Sequence, residues 1–203
     1  MSIWYADDLS ALKGFVNRQH KLEVSKREVP NGATMFFQNL MKMSFGVAGQ
    51  LNRKTAADDL HYLLEKEIPA EAKDNPFFEV WLQDMAKISR LFCDVANHNG
   101  IRVWIGSKRG CARYHVDNVP YRLLVTYAGK GTELLPEDAS DREAHARGEP
   151  NENIIKDYSA KQFIEQWDVA IFRGGASGLL HRTPDPALQA NSILMRLDRD
   201  VHN

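Results

Sequence analysis

Cysteine is scarce. Cys93 and Cys111 are the only two in 203 residues, and neither stands in a CxxC or zinc-finger spacing. A disulfide framework is therefore excluded, and a reducing, cytoplasmic setting is expected. Long apolar runs are also missing. No stretch approaches about eighteen uncharged apolar residues, so no bilayer-spanning helix is expected. The first residues, Met1 to Asp8, hold no basic patch followed by an apolar stretch, which argues against a signal peptide. Neither sign of charge is in excess: 26 Lys and Arg stand against 27 Asp and Glu, a formal net charge of −1. That balance leaves no basic field for nucleic acid and no polycationic face for a membrane, so neither partner is expected. Repeats and low-complexity tracts are absent, which sets aside solenoids and tethering arrays.

What is present has ordinary globular proportions, 43% hydrophobic and 26% charged. The first hundred residues read as helices. Residues 76–99 give the clearest pattern: Asn75 as N-cap, Pro76 at the first helical position, and Phe77, Phe78, Trp81, Leu82, Met85, Ile88, Leu91, Phe92 and Val95 at three- and four-residue steps. Gly100 is the expected C-cap. A second helix is expected from the Thr55 cap to before Pro69, a third over 34–45, and a weaker one over 8–18, where Gly14 interrupts.

After Gly100 the texture becomes β-like. Short strands are expected at 101–105, 111–117, 121–127, 167–172, 179–181 and 192–197, divided by Gly and Pro turns. Residues 137–153 read as an exposed polar excursion, and a capping box of Ser159 and Gln162 predicts a short helix ending near Gln166. The inferred fold class is α+β: a helical region, 1–100, packed on a β-barrel, 101–203, as one compact unit.

Within the barrel, His115-Val116-Asp117 places an imidazole and a carboxylate two residues apart. On a strand both face the same side, and together they suit Fe(II), Mn(II) or Zn(II). His181 closes an apolar run, Gly178-Leu179-Leu180-His181, before the last strand. In a double-stranded β-helix the third ligand comes from a strand near the end of the barrel, which completes a two-His-one-carboxylate face. Cys111 would lie roughly 13 Å from His115 along an unbroken strand, too far to share an ion, and reads as a buried small apolar residue. Glu133, after a turn, reads as solvated. His20, His61, His98, His145 and His202 are expected to play no part.

The segment His115 to Asp117, Arg122, Thr126-Tyr127, Gly129 and Gly131-Thr132 resembles the prolyl-hydroxylase branch of the Fe(II)/2-oxoglutarate oxygenases. Phe172 and the Leu180 to Pro184 pattern resemble that family's distal-histidine segment. More closely, Gly110-Cys111, Tyr114 to Asp117, Val119 to Arg122 and Gly129-x-Gly131-Thr132-Glu133 are similar to domain of unknown function 1826, over most of the chain. The resemblance implies a cupin-like jelly-roll barrel, His115, Asp117 and His181 around Fe(II) or alternatively Zn(II), and 2-oxoglutarate as co-substrate. Oxygenases of this kind anchor the co-substrate carboxylate with Arg or Lys about ten residues after the distal His, where this chain has Asn191 and Ser192. Arg196, sharing a face with Ser192 and Leu194, and Arg122 are the two alternative anchors, with Tyr127 a further candidate contact. The readings that follow are an oxygenase acting on a small molecule or peptide, or a non-catalytic cupin-like metal binder in metal handling or sensing. A homodimer is compatible with either.

Overall fold

The structure is a computed structural model that describes residues 3–199. His202 lies outside the described residues. The chain starts with β1 (Ile3–Ala6), a 3-10 helix (Ser10–Asn17), β2 (Leu22–Ser25), α1 (Ala33–Leu40), β3 (Gly46–Asn52), α2 (Ala56–Glu65), α3 (Ala70–Lys73) and α4 (Pro76–Ala96). There follow β4 (Gly100–Gly106), β5 (Tyr121–Ala128), β6 (Glu133–Leu135), α5 (Arg142–Ala146), α6 (Asn151–Ile154), β7 (Gln162–Phe163), β8 (Val169–Arg173), β9 (Leu180–Arg182), α7 (Asp185–Gln189) and β10 (Ile193–Arg199).

A seven-stranded sheet runs β1-β2-β8-β5-β10-β4-β3, and a three-stranded sheet runs β7-β6-β9. From β4 onward the chain alternates between them. β4, β5, β8 and β10 lie in the large sheet, and β6, β7 and β9 in the small one. The segment between β4 and β5 joins the small sheet through one bridge, His115 to His181. This alternation is the winding of a jelly roll.

Helix α4 follows from its sequence. The Asn75 side chain accepts from the Phe77 N–H, Pro76 sits at N1, and the apolar stripe packs on one face of the large sheet. Residues of β4, β5, β8 and β10 (Ile105, Val125, Ile171 and Met195 among them) are buried against it. The opposite face, with Leu124, Phe172 and Leu194, meets Leu134, Ile164 and Leu179 from the small-sheet side.

Several expectations need correction. The first hundred residues are not all helical, because β1, β2 and β3 belong to the large sheet. β1 and β2 have four residues each and β2 is buried throughout, so neither shows an alternating pattern. β3 contains Gly46 and Gly49, and a Cβ at Gly49 would stand 2.7 Å from Leu63 of α2. Glycine there lets the helix approach and at the same time hides the strand. The helix expected over 8–18 is a 3-10 helix, Ser10–Asn17, and the helix expected over 34–45 stops at Leu40. Helix α4 is closed by Asn97 with φ +49°, three residues before Gly100, which opens β4. Residues 111–117 form no continuous strand. The helix expected after Ser159 is a 3-10 turn, Tyr158–Ala160, capped by Asp157 and followed by β7. The excursion 137–153 is not merely exposed, since its Ala139 and Ala144 join Tyr114, Leu135, Ile154 and Leu180 in a small core.

Candidate metal centre

His115, Asp117 and His181 offer one ligand atom each within 4.8 Å of one another. The bridge that brings the histidines together is symmetrical: the His115 N–H donates to the His181 carbonyl at 3.0 Å and the reverse bond spans 3.1 Å. Their rings lie 4.5 Å apart, and Phe172 rests against His181 at 4.4 Å. Each imidazole is oriented by the carbonyl two residues before it. His115 Nδ1 lies 3.0 Å from the Arg113 carbonyl, and His181 Nδ1 lies 3.0 Å from the Leu179 carbonyl. A carbonyl only accepts, so these contacts select the Nδ1–H tautomer, which in a neutral ring leaves Nε2 as the metal-binding atom. These Nε2 atoms face Asp117, at 3.8 Å from His115 to Oδ1 and 3.4 Å from His181 to Oδ2.

The electrostatics agree with a ligand role. Burial, then the neighbouring His181, holds His115 below the ordinary histidine value, which favours the neutral ring. Burial pushes Asp117 up, but His181, Arg122 and His115 outweigh it and keep the carboxyl below its ordinary value. Asp117 is buried, and its Oδ2 has no hydrogen-bond partner. An ionised carboxylate oxygen left bare inside a protein is costly unless a cation completes it. Two imidazoles and one carboxylate fit Fe(II) or Zn(II).

Arg122 braces the carboxylate. It donates from Nη1 to Asp117 and forks onto Asp198 through Nε at 2.6 Å and Nη2 at 3.1 Å. The turn after β8 holds the backbone of the same residue, where the Gly175 N–H donates to the Asp117 carbonyl at 2.8 Å. A Cβ at Gly174 would meet the Val119 carbonyl oxygen at 1.8 Å, so only glycine fits this approach.

The other proposed contacts are divided. Arg122 and Arg196 border a cavity of about 170 Å³ shared with His115 and His181. Arg196 lies 3.3 Å from Asp198 and 5.9 Å from the Trp104 ring. Tyr127 is on the other face of β5, buried against α4, where its hydroxyl donates to Asp84 at 2.9 Å. Strand parity carried this signal, because Arg122 and Leu124 border the cavity while Leu123, Val125 and Tyr127 belong to the core on the helix side. Ser192 is fully buried and does not border the cavity, its N–H donating to the Ser107 carbonyl. The register shifts between Ile193 and Leu194, so the face shared by Leu194 and Arg196 does not extend back to Ser192.

Cys111 is exposed and lies on the cavity rim, since the segment before His115 is not extended as a strand. Glu133 is buried rather than solvated. It accepts from Arg182 Nε at 3.0 Å and from the Tyr114 hydroxyl, and pairs with Lys161 at 3.1 Å. His20 bonds Glu23, and His98 bonds Gly100. Sequence reasoning missed Arg109, which borders the cavity from the loop after β4. No periodicity marks a loop residue of this kind.

The jelly-roll winding and a His-Asp-His group define the class as a mixed α+β protein with a candidate metal site. The chain belongs to the family described as protein of unknown function DUF1826, whose model matches residues 6–198. No curated protein matches it. Among solved structures it is similar to a Shewanella oneidensis protein proposed to be an oxygenase, with 11% identity, 98% of this chain and 89% of that one covered, and a TM-score of 0.44. It is similar also to HygX from Streptomyces hygroscopicus, solved with nickel, 2-oxoglutarate and hygromycin B, at 12% identity over 91% of this chain and 84% of that one, TM-score 0.44. A third is a full-length Neurospora crassa protein solved in complex with alpha-KG, at 11% identity, 95% and 78% covered, TM-score 0.40. No described helix is long and apolar enough to cross a membrane.

Proposed function

We propose that this protein is a mononuclear non-haem Fe(II) oxygenase that uses 2-oxoglutarate. The observation that carries the reading is the Asp117 carboxylate, buried with one oxygen bare and faced by the Nε2 atoms of two imidazoles at 3.8 and 3.4 Å. His115, Asp117 and His181 would hold the metal on one face and leave its other positions toward the cavity. Bound there, Fe(II) supplies oxygen activation at the expense of the 2-oxo acid. The chain's own residues do the rest. Arg113 and Leu179 carbonyls fix the imidazoles, Arg122 holds the Asp117 carboxylate, and the Gly175 N–H holds the Asp117 backbone carbonyl.

The test is an anaerobic optical titration of the metal-free protein with Fe(II) and then 2-oxoglutarate, beside a His115→Ala/Asp117→Ala control. A weak metal-to-ligand charge-transfer band in the wild type, absent from the control, is the expected result. Stoichiometric metal uptake without the band would sink the oxygenase reading. It would favour the second one, a non-catalytic Zn(II)-binding module, to which the occupation of Arg122 by Asp117 and Asp198 lends support.

A further inference from the structure

The cavity beside the metal ligands is bordered by five cationic side chains, Lys108, Arg109, Arg122, Arg182 and Arg196. No carboxylate borders it among the described residues. These cations are not equivalent. Arg122 is committed to Asp117 and Asp198, and Arg182 is forked onto both Glu133 and Asp185. Arg196 leans on Asp198 with an exposed side chain, and Lys108 is exposed.

Arg196 Nε shares with Arg109 Nε the lack of a hydrogen-bond partner. Of the two cations without a described carboxylate within ion-pair distance, Lys108 and Arg109, only Arg109 is withdrawn from solvent. Its Nη1 donates to the Lys130 carbonyl at 2.8 Å and its Nη2 to Thr132 Oγ1 at 2.8 Å, both neutral acceptors. Its Nε is buried with no acceptor, and no described carboxylate pairs with it. Burial without an anion pulls the guanidinium down to about 10. A guanidinium carries five N–H donors in a planar fork that matches a carboxylate, and an enclosed cation lacking its anion is costly. The fork is also held in place. Thr132 is buried, and Gly131 before it packs so closely that a Cβ would lie 1.7 Å from the Ile164 carbonyl oxygen.

Arg109, His115 and His181 line the same cavity. Its volume, about 170 Å³, is below the roughly 300–1,000 Å³ of pockets for drug-sized ligands and suits a small organic acid. We propose that Arg109, braced by Thr132, anchors the remote carboxylate of a small 2-oxo diacid whose other end meets the metal. The proposal rests on the metal-site reading above. It moves the anchor from Arg196 on β10 or Arg122 on β5 to the loop after β4 and makes Arg109 the residue that selects a diacid over a monoacid.

The test uses Mn(II)-loaded wild type, Arg109→Gln and Arg109→Lys, titrated calorimetrically with 2-oxoglutarate and with 2-oxopentanoate, which lacks the remote carboxylate. The wild type should prefer the diacid by about ten- to a hundredfold, the range of a charge-assisted pair. Arg109→Gln should bring the two affinities within roughly threefold of each other, with Arg109→Lys between. Melting temperatures should stay level or rise in Arg109→Gln, because a cation without an anionic partner is removed. A diacid preference that survives in Arg109→Gln overturns the proposal, as does a wild type without one. A wild type that takes up no Mn(II) ends the metal reading instead. The anchor is then read with glutarate on the metal-free protein, where binding lost in Arg109→Gln supports it and no binding overturns it.

Discussion

Arg122 touches two carboxylates at once, and its role can be separated from its charge. Lysine in its place keeps one positive charge beside Asp117 and Asp198 but cannot span both with a planar fork. Partners that orient metal ligands typically contribute about ten- to a hundredfold to affinity. Arg122→Lys is therefore expected to weaken Mn(II) or Zn(II) binding by about tenfold, measured by equilibrium dialysis, with two intact histidines retaining the rest. Unchanged affinity would mean that the Gly174–Gly175 turn alone positions Asp117. At this scale the sequence was legible where spacing is enough. His115 and Asp117 are close in the chain, and His181 reaches them because β9 lies beside them. It was not legible where partners come from distant elements. Glu133 looks like a solvated turn residue until Arg182 is placed opposite it on β9. Arg109 has no pattern at all, only the company it keeps in the cavity.

Helices wrote themselves into the sequence more clearly than strands did. In α4, a cap, a first-turn proline and a sustained apolar stripe agree, and the observed start falls where they place it. The Asn75 side chain satisfies one of the otherwise unpaired N–H groups of the first turn. Asn75→Ala should cost about 1 kcal/mol, a fall of roughly 2–4 °C in Tm for a chain of this size, whereas Asn75→Asp should be neutral. Thermal unfolding followed by circular dichroism measures both, and an unchanged Tm for the alanine variant would show that tertiary packing alone holds the helix end. The strands of the first half escaped because β1 and β2 are short, and because Glu23 is buried in the middle of β2. Arg18 (2.7 and 2.6 Å) and His20 (3.0 Å) make that burial tolerable. A carboxylate paired by residues on the preceding turn cannot be told from a surface carboxylate by periodicity. The same limit applies to 111–117, where a single bridge to β9 does the work that the alternating pattern assigned to a whole strand.

The division of the chain at residue 100 does not correspond to a division of the core. One hydrophobic cluster contains Leu12 and Phe37, Trp81 and Met85 of α4, and Val125, Ile171 and Met195 of the barrel. Two ladders also cross the boundary: β2 pairs with β8, and β3 with β4. A fragment of residues 101–203 would lose both ladders and expose the apolar face that α4 covers. A sheet with one face stripped and two edges opened has strong reason to aggregate. We therefore expect the fragment, expressed alone, to show no cooperative melting and no stoichiometric metal binding, and both to return when residues 1–100 are co-expressed with it. The metal site depends on this indirectly. Its ligands sit on the far face of the large sheet from α4, so the helix sets no ligand distance itself, but it holds in place the strands against which β9 and the His115 segment are registered. If the fragment alone melted cooperatively and bound one metal ion, the jelly roll would be self-sufficient and the first hundred residues an accessory to it.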